Sequence, residues 1–298
     1  MTPKAKITTD LLSQASLFTI TLRQWGNRRK ADLDAAEIDA DKDQLHLTKQ
    51  LIESPEYKEI VRYLHEIKVW ALNRCMPSFV KSGVFVVRLD MIREFETKLS
   101  SDLEYLRGVL IPSFVRAYPA QVEAARGRLR GQFNMRDYPS SSFFESAFGI
   151  EWGWIAFGIP ENVPKDIQER EFQKLQQRMI DAEVEIRAAL RASFADLIDK
   201  AVDKLKVAPG EKPKVFRDSL VGNFNEFFET FRARNLMNDA ELEVVVGKAR
   251  AILSKVTPDA LRSRATIREK TASAFEEVKA EVEKLVADAP TRKFREED

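Results

Sequence analysis

The sequence predicts an α+β protein, predominantly α, with a long helical, coiled-coil-like spine, a small antiparallel sheet and a C-terminal helical bundle. Three observations predict it. Between 164 and 205, Phe172, Leu175, Met179, Ala182, Ile186, Leu190, Phe194, Leu197, Ala201 and Leu205 recur every three or four residues, the spacing of one apolar stripe along a helix. Leu17–Arg23 and Phe148–Trp154 alternate with period two, as half-buried strands do. Beyond the Ala208-Pro209-Gly210-Glu211-Lys212-Pro213 break every apolar pattern is helical.

In the first strand Phe18, Ile20 and Leu22 share one face and Thr19, Thr21 and Arg23 the other. A short helix is expected over Asp32–Ala40 and a second strand over Leu45–Lys49. Ser54 caps the next helix, with Pro55 at its first position, where a missing N–H costs nothing. Its stripe is Ile60, Leu64, Ile67 and Ala71, and Pro77 ends it. After Gly83 a long helix follows on Leu89, Ile92, Phe95, Leu99, Leu103 and Leu106, with Pro112 and Pro119 expected to kink or interrupt it. Val122–Gln132 continues it, and the whole folds back as a helical hairpin.

Phe148, Ile150, Trp152 and Trp154 alternate with Gly149, Glu151 and Gly153, so the aromatic side chains read as one face of a third strand. That strand is expected to join the two N-terminal ones in a three-stranded sheet, since a lone pair is marginal. At 1.5 Å per residue the spine is roughly 60 Å long, too long for one compact domain, and reads as a connector between two halves. Beyond it, Phe216, Leu220, Phe224, Phe227, Phe228 and Phe231 line one helix; Asn238, with Glu241 three residues on, caps the next; Thr257-Pro258 caps the last, whose stripe is Phe275, Val278, Val282 and Leu285. The expected domains are an α+β head over 10–160, a connecting helix over 164–207, a helical domain over 214–288 and a charged tail over 290–298.

Composition narrows the function classes. In 298 residues, 48 Lys and Arg meet 47 Asp and Glu, a balance that excludes a globally basic nucleic-acid binder but not a local patch. One cysteine, Cys75, forbids an intrachain disulfide and reads as a buried thiol. No apolar leader follows Met1 and no run is long enough to span a membrane, so the expected location is the cytoplasm of a bacterial host cell. His46 and His65 lie apart from Cys and from each other, so no metal site is expected. No phosphate-binding glycine loop or nucleophile elbow occurs; no cofactor and no catalytic residue is nominated, and the chain reads as a non-enzyme.

Two basic clusters remain: Arg23, Arg28, Arg29 and Lys30 around Trp25, and Arg126, Arg128 and Arg130 followed by Arg136. Arginines beside an exposed aromatic ring can hold phosphates and stack on a base; acids close in sequence (Asp32, Asp34, Glu37, Glu123, Asp137) favour ordinary ion pairing. For protein contacts the candidates are Phe172, Leu175, Met179 and Ile186 on the spine, and Phe224, Phe227, Phe228 and Phe231 beyond it. The aromatic group Phe143, Phe144, Phe148, Trp152 and Trp154 reads as core.

Leu17–Lys30 with its Trp25-Gly26-Asn27-Arg28-Arg29-Lys30, the aromatic stretch Phe143–Phe157 ahead of the long helix, and Phe216-Arg217-Asp218-Ser219 with Asn223, Asn235 and Asp239 together resemble an uncharacterised domain family of phages and mobile elements. The resemblance covers about residues 10–255; the last helix and tail depart from it. It implies no catalytic residue. It implies a setting, because such proteins are encoded beside a MoxR-like AAA+ ATPase and a protein with a von Willebrand factor A (VWA) domain. The expected function is therefore a helical interaction or adaptor protein of a phage or mobile element, a partner or substrate of that ATPase, with the VWA protein and further copies of itself as other partners. The alternative is a DNA-associated protein that grips the phosphate backbone through its arginine clusters.

Overall fold

The computed structural model describes residues 14–33, 44, 46–78, 81–156, 162–206 and 218–287. In chain order these form β1 (Ala15–Arg23), β2 (Arg28–Lys30), β3 (Thr48–Gln50), α1 (Pro55–Leu72), β4 (Met76–Pro77), β5 (Val84–Arg88), α2 (Ile92–Tyr105), a π-helical turn (Leu106–Leu110), α3 (Ile111–Leu129), the short α4 (Phe144–Ala147), β6 (Gly149–Ile155), α5 (Lys165–Leu205), α6 (Asp218–Arg234), α7 (Ala240–Leu253), α8 (Pro258–Ser263) and α9 (Ala265–Ala287), with single 3-10 turns between. The fold is α+β and mostly helical. Most of the helix read over 32–40, together with Leu45, Phe216 and the charged tail, lies outside the described residues.

The chain divides into two compact units. Unit 1 is Met1–Phe18, Asn73–Met91 and Trp154–Asp298; unit 2 is Thr19–Leu72 and Ile92–Gly153. The antiparallel sheet has the strand order β4-β5-β1-β6. It differs from the expected three-stranded sheet in membership. The expected second strand survives as β3, which pairs with β2 in a separate ribbon, with Arg28 opposite Gln50, Arg29 opposite Lys49 and Lys30 opposite Thr48. No residue of β3 is buried, so it has no apolar face to add to the larger sheet. That place is taken by β5, whose Val84, Val86 and Val87 are buried. A short continuous apolar run lacks the alternation that marks a half-buried strand, which is why β5 escapes a reading by period.

In unit 1 the long helix α5 packs antiparallel on α9. Arg191 meets the chain at Leu285, Asp199 pairs with Lys279 at 2.7 Å, and Lys206 pairs with Glu276, so the numbers rise on one helix as they fall on the other. Ile186, Leu190, Phe194, Leu197, Ile198 and Leu205 join Phe224, Phe227, Phe275, Val278 and Val282 in one core. The expected cap at Asn238 shifts by one residue. Asn238 has φ 47°, and it is the Asp239 side chain that accepts the Leu242 N–H, at 3.2 Å, to start α7. Thr257 caps as expected, accepting from Ala260 N–H at 3.2 Å, but the helix it starts is the six-residue α8 rather than the last one.

Asp239 has a second task. Arg191, from the middle of α5, donates Nε to its Oδ2 at 2.6 Å and Nη2 to its Oδ1 at 2.9 Å. The same guanidinium donates to Glu241 at 2.9 Å and to the Leu285 carbonyl at 2.8 Å. Both side chains are nearly closed to solvent, 9% and 4% exposed. One buried fork thus ties α5 to the start of α7 and the end of α9.

In unit 2, α2, the π turn and α3 form a continuous helical run, so this stretch does not fold back on itself as the expected hairpin. The Ile111 N–H reaches back to Leu106 O, the wider π pattern, just before Pro112. Pro112 has no N–H, and its ring would crowd the carbonyl of Gly108 in a regular helix; the wide turn relieves that crowding. Pro119 lies inside α3 without ending it. Tyr63 donates to the buried Asp102 at 2.8 Å, and Lys98 pairs with the same carboxylate, joining α1 to α2. The core is a set of rings: Trp25, Tyr57, Phe114, Tyr118, Phe144 and Phe148, at centroid separations of 4.6–6.3 Å.

Removing one member of the buried fork strands the other charge. Arg191→Met and Asp239→Asn should each lose about 3–5 kcal/mol in urea unfolding, the usual cost of breaking a buried pair, although Asn would still cap α7. Burial pushes the Asp239 carboxyl up, but the Arg191 hydrogen bonds and the Leu242 N–H together hold it below its ordinary value. Its contribution is therefore complete above about pH 4, the unfolded carboxylate value, and is lost as pH falls through the lower native value. Stability measured from pH 6 down to pH 2 should fall less steeply in Asp239→Asn than in the native chain.

Candidate functional site

The two arginine clusters come together at one end of unit 2. The end of β1 and strand β2 carry the first, and the end of α3 with the two turns after it the second. Gln132 binds both backbone groups of Asp32: its Oε1 accepts from Asp32 N–H at 2.8 Å and its Nε2 donates to Asp32 O at 2.7 Å. Lys49 donates to Gln132 O at 2.6 Å and pairs with Asp137 at 2.7 Å. Tyr138 donates to Leu51 O at 3.0 Å, and Arg128 pairs with Glu53 at 3.4 Å. The ribbon is thus pinned along the segment 128–138.

Within this end the cations divide. Arg23 pairs with Glu151 at 3.2 Å and Arg126 with Glu123 at 3.3 Å, with Arg126 also 5.0 Å over the Phe133 ring. Arg29 turns its Nη1 back onto the carbonyls of Gly26 and Arg28, both at 2.8 Å. Arg28, Lys30, Arg130 and Arg136 are exposed, and among the described residues none of these four has a carboxylate within ion-pair distance. Trp25 does not serve as the expected exposed ring. It is 4% exposed and stands edge-on to Tyr57, Tyr118 and Phe144, because a ring that large gains more from burial than from water. Its Nε1 and the Tyr118 hydroxyl are buried without a hydrogen-bond partner.

The ring that does meet the basic end is Tyr57, which the sequence reading passed over. A cavity of about 380 Å³ is lined by Tyr57, Gln24, Gly26, Asn27, Arg28 and Gln50. Its walls are fixed. Asn27 donates to Ile52 O at 2.7 Å and accepts from Ile52 N–H at 2.9 Å; Gln50 donates to Ile52 O at 2.9 Å; Tyr57 donates to Trp25 O at 2.8 Å. Gln50 keeps its Oε1 as an acceptor.

The expected protein-contact residues also divide. Ile186, Phe224, Phe227 and Phe231 belong to the core of unit 1 and Met179 is buried too, so none of the five is open to a partner. Phe172, Leu175 and Phe228 keep part of their surface. Of the aromatic group, Phe144 and Phe148 are core, Phe143 is 43% exposed, Trp152 donates to Glu96 at 3.0 Å and Trp154 packs on Phe18 at 5.0 Å. Cys75 is buried as expected, and burial pushes its thiol up to about 12. Among the described residues no group of three or more His, Cys, Asp and Glu could hold a metal ion, and no helix is long and apolar enough to cross a membrane.

No family model, no curated protein and no solved structure matches the chain.

Because Trp25 fills the centre of the ring cluster, Trp25→Ala should cost about 3–5 kcal/mol by chemical unfolding. Trp25→Phe should cost clearly less, since it keeps most of the ring contact and removes a buried N–H that has no partner.

Proposed function

We propose that the chain is a non-enzymatic interaction protein that docks on a partner through the first third of α5, and that the partner is the MoxR-like AAA+ ATPase of the mobile-element setting that the sequence resembles. One observation supports the reading. The helix is 41 residues long, yet its buried positions begin at Met179. Over 165–178 the apolar stripe continues through Ile167, Phe172 and Leu175, none of them buried, and Ile180 beside it is 50% exposed. An amphipathic helix whose stripe outruns its own core has a face to offer another chain. Further copies of the chain and the VWA protein are the competing occupants.

Light scattering coupled to size exclusion, on the chain alone and mixed with the purified ATPase, separates these cases. The double variant Phe172→Glu/Leu175→Glu should abolish co-elution while changing stability by less than about 1 kcal/mol, because neither side chain belongs to the core. Met179→Glu should instead unfold unit 1, because it places a charge in a closed apolar site. Native co-elution by the double variant, or a native chain that stays monomeric and ignores the ATPase, would reject the proposal.

A further inference from the structure

The basic end of unit 2 lies apart in sequence from the α5 face and has no part in the docking proposed for it. We propose that it binds single-stranded nucleic acid, with one unpaired base seated in the Tyr57 cavity and the flanking phosphates on Arg28, Lys30, Arg130 and Arg136. The cavity brings together what a nucleotide needs. Tyr57 provides a ring fixed by its own hydrogen bond, on which a base of any identity can stack. Gln50, with Nε2 committed and Oε1 open, offers an acceptor to a base edge, while the Gln24 amide lining the same space is hydrogen-bonded to the Tyr57 hydroxyl. Arg28 lines the same space and has no carboxylate partner among the described residues.

The clasp between Asp32 and Gln132 joins the chain two residues after Lys30 to the turn that begins at Arg130. Lys30, Arg130 and Arg136 are exposed and, unlike Arg28, do not line the cavity, so they are available to phosphates flanking the seated base. A cavity of this kind selects single strands, because a duplex keeps its bases stacked inside and has none to insert.

The surroundings hold the affinity down. Glu53, Glu123, Asp137 and Glu151 neutralise neighbouring cations. Phosphate contacts alone are too few to bind well at physiological salt, so the base contact must supply much of the affinity.

Fluorescence anisotropy on the full chain tests this, with labelled oligothymidine, oligouridine and a duplex of equal length. Either single strand should bind more tightly than the duplex; the DNA and RNA arms show which sugar is preferred. The slope of log K against log salt should be about −3, as four released phosphate counterions on a single strand give. Arg28→Glu with Lys30→Glu, both on the exposed ribbon, should weaken binding about tenfold or more, whereas Arg232→Glu in unit 1 should leave it unchanged. An abasic oligomer tests the cavity without altering the protein, and should bind several-fold more weakly. No single-strand binding in about 20 mM salt, equal or tighter binding of duplex or polyglutamate, or no loss with the ribbon variants overturns the proposal. Full affinity for the abasic strand overturns the base-in-cavity assignment.

Discussion

The antiparallel packing of α5 on α9 is the constraint on which unit 1 depends. Arg191 reaches Leu285, Asp199 reaches Lys279 and Lys206 reaches Glu276, so the register places the end of α9 near the middle of α5. With α9 ending at Ala287, the helix before about residue 190 must find other cover. Ala182 and Ile186 find it in the same core as Ala15, Leu17, Met76, Val84 and Val86, the apolar residues of β1, β4 and β5. Within α5 no residue before Met179 is buried. A single length mismatch, 41 residues against 23, thus gives one helix a structural portion and a portion whose stripe stays only half-buried. Each aliphatic or aromatic side chain closed into the shared core contributes about 1.5–3 kcal/mol, so the structural portion holds the helix whatever its first turns do. The Arg191 fork adds specificity to that packing: a planar guanidinium satisfied by Asp239, Glu241 and a carbonyl fits one register of α5, α7 and α9 and no neighbouring one.

Unit 2 obeys a different constraint. Its rings fill the interior, and its polar contacts lie where the ribbon meets the end of α3. Lys49 is 10% exposed in its side chain and Asp137 20%, so this clip is itself partly buried, and it fixes where the remaining cations stand. The basic character of this end is therefore a by-product of fastening as much as of function. Of the cations named in the sequence, Arg23, Arg126 and Arg128 have carboxylates and Arg29 has carbonyls.

The long helix, the Ser54–Pro55 helix start, β1, β6 and the buried cysteine were legible, because each rests on a local signal: period, cap chemistry or composition. What escaped depends on distant neighbours. Nothing in the stripe Phe172–Leu205 distinguishes the half-buried Leu175 from the buried Met179; only tertiary packing does. Val84–Val87 has no alternation because both its faces meet apolar groups. Trp25 sits in a run of Arg, Lys and Asn, so its context reads as surface, while the rings that bury it come from residues 57, 118 and 144. Tyr57 was invisible as a cavity wall because its partners Gln24, Arg28 and Gln50 meet it only once the ribbon forms. The shift of the cap from Asn238 to Asp239 reflects Arg191, 48 residues earlier, claiming that carboxylate.

Hydrogen–deuterium exchange along α5, in dilute solution of the free chain, tests the central claim most directly. The account predicts strong protection from about residue 182 to 205 and rapid exchange over 165–178, with the boundary near Met179. Uniform slow exchange along the whole helix would contradict it, for that would mean the first turns are already covered and have no face to offer.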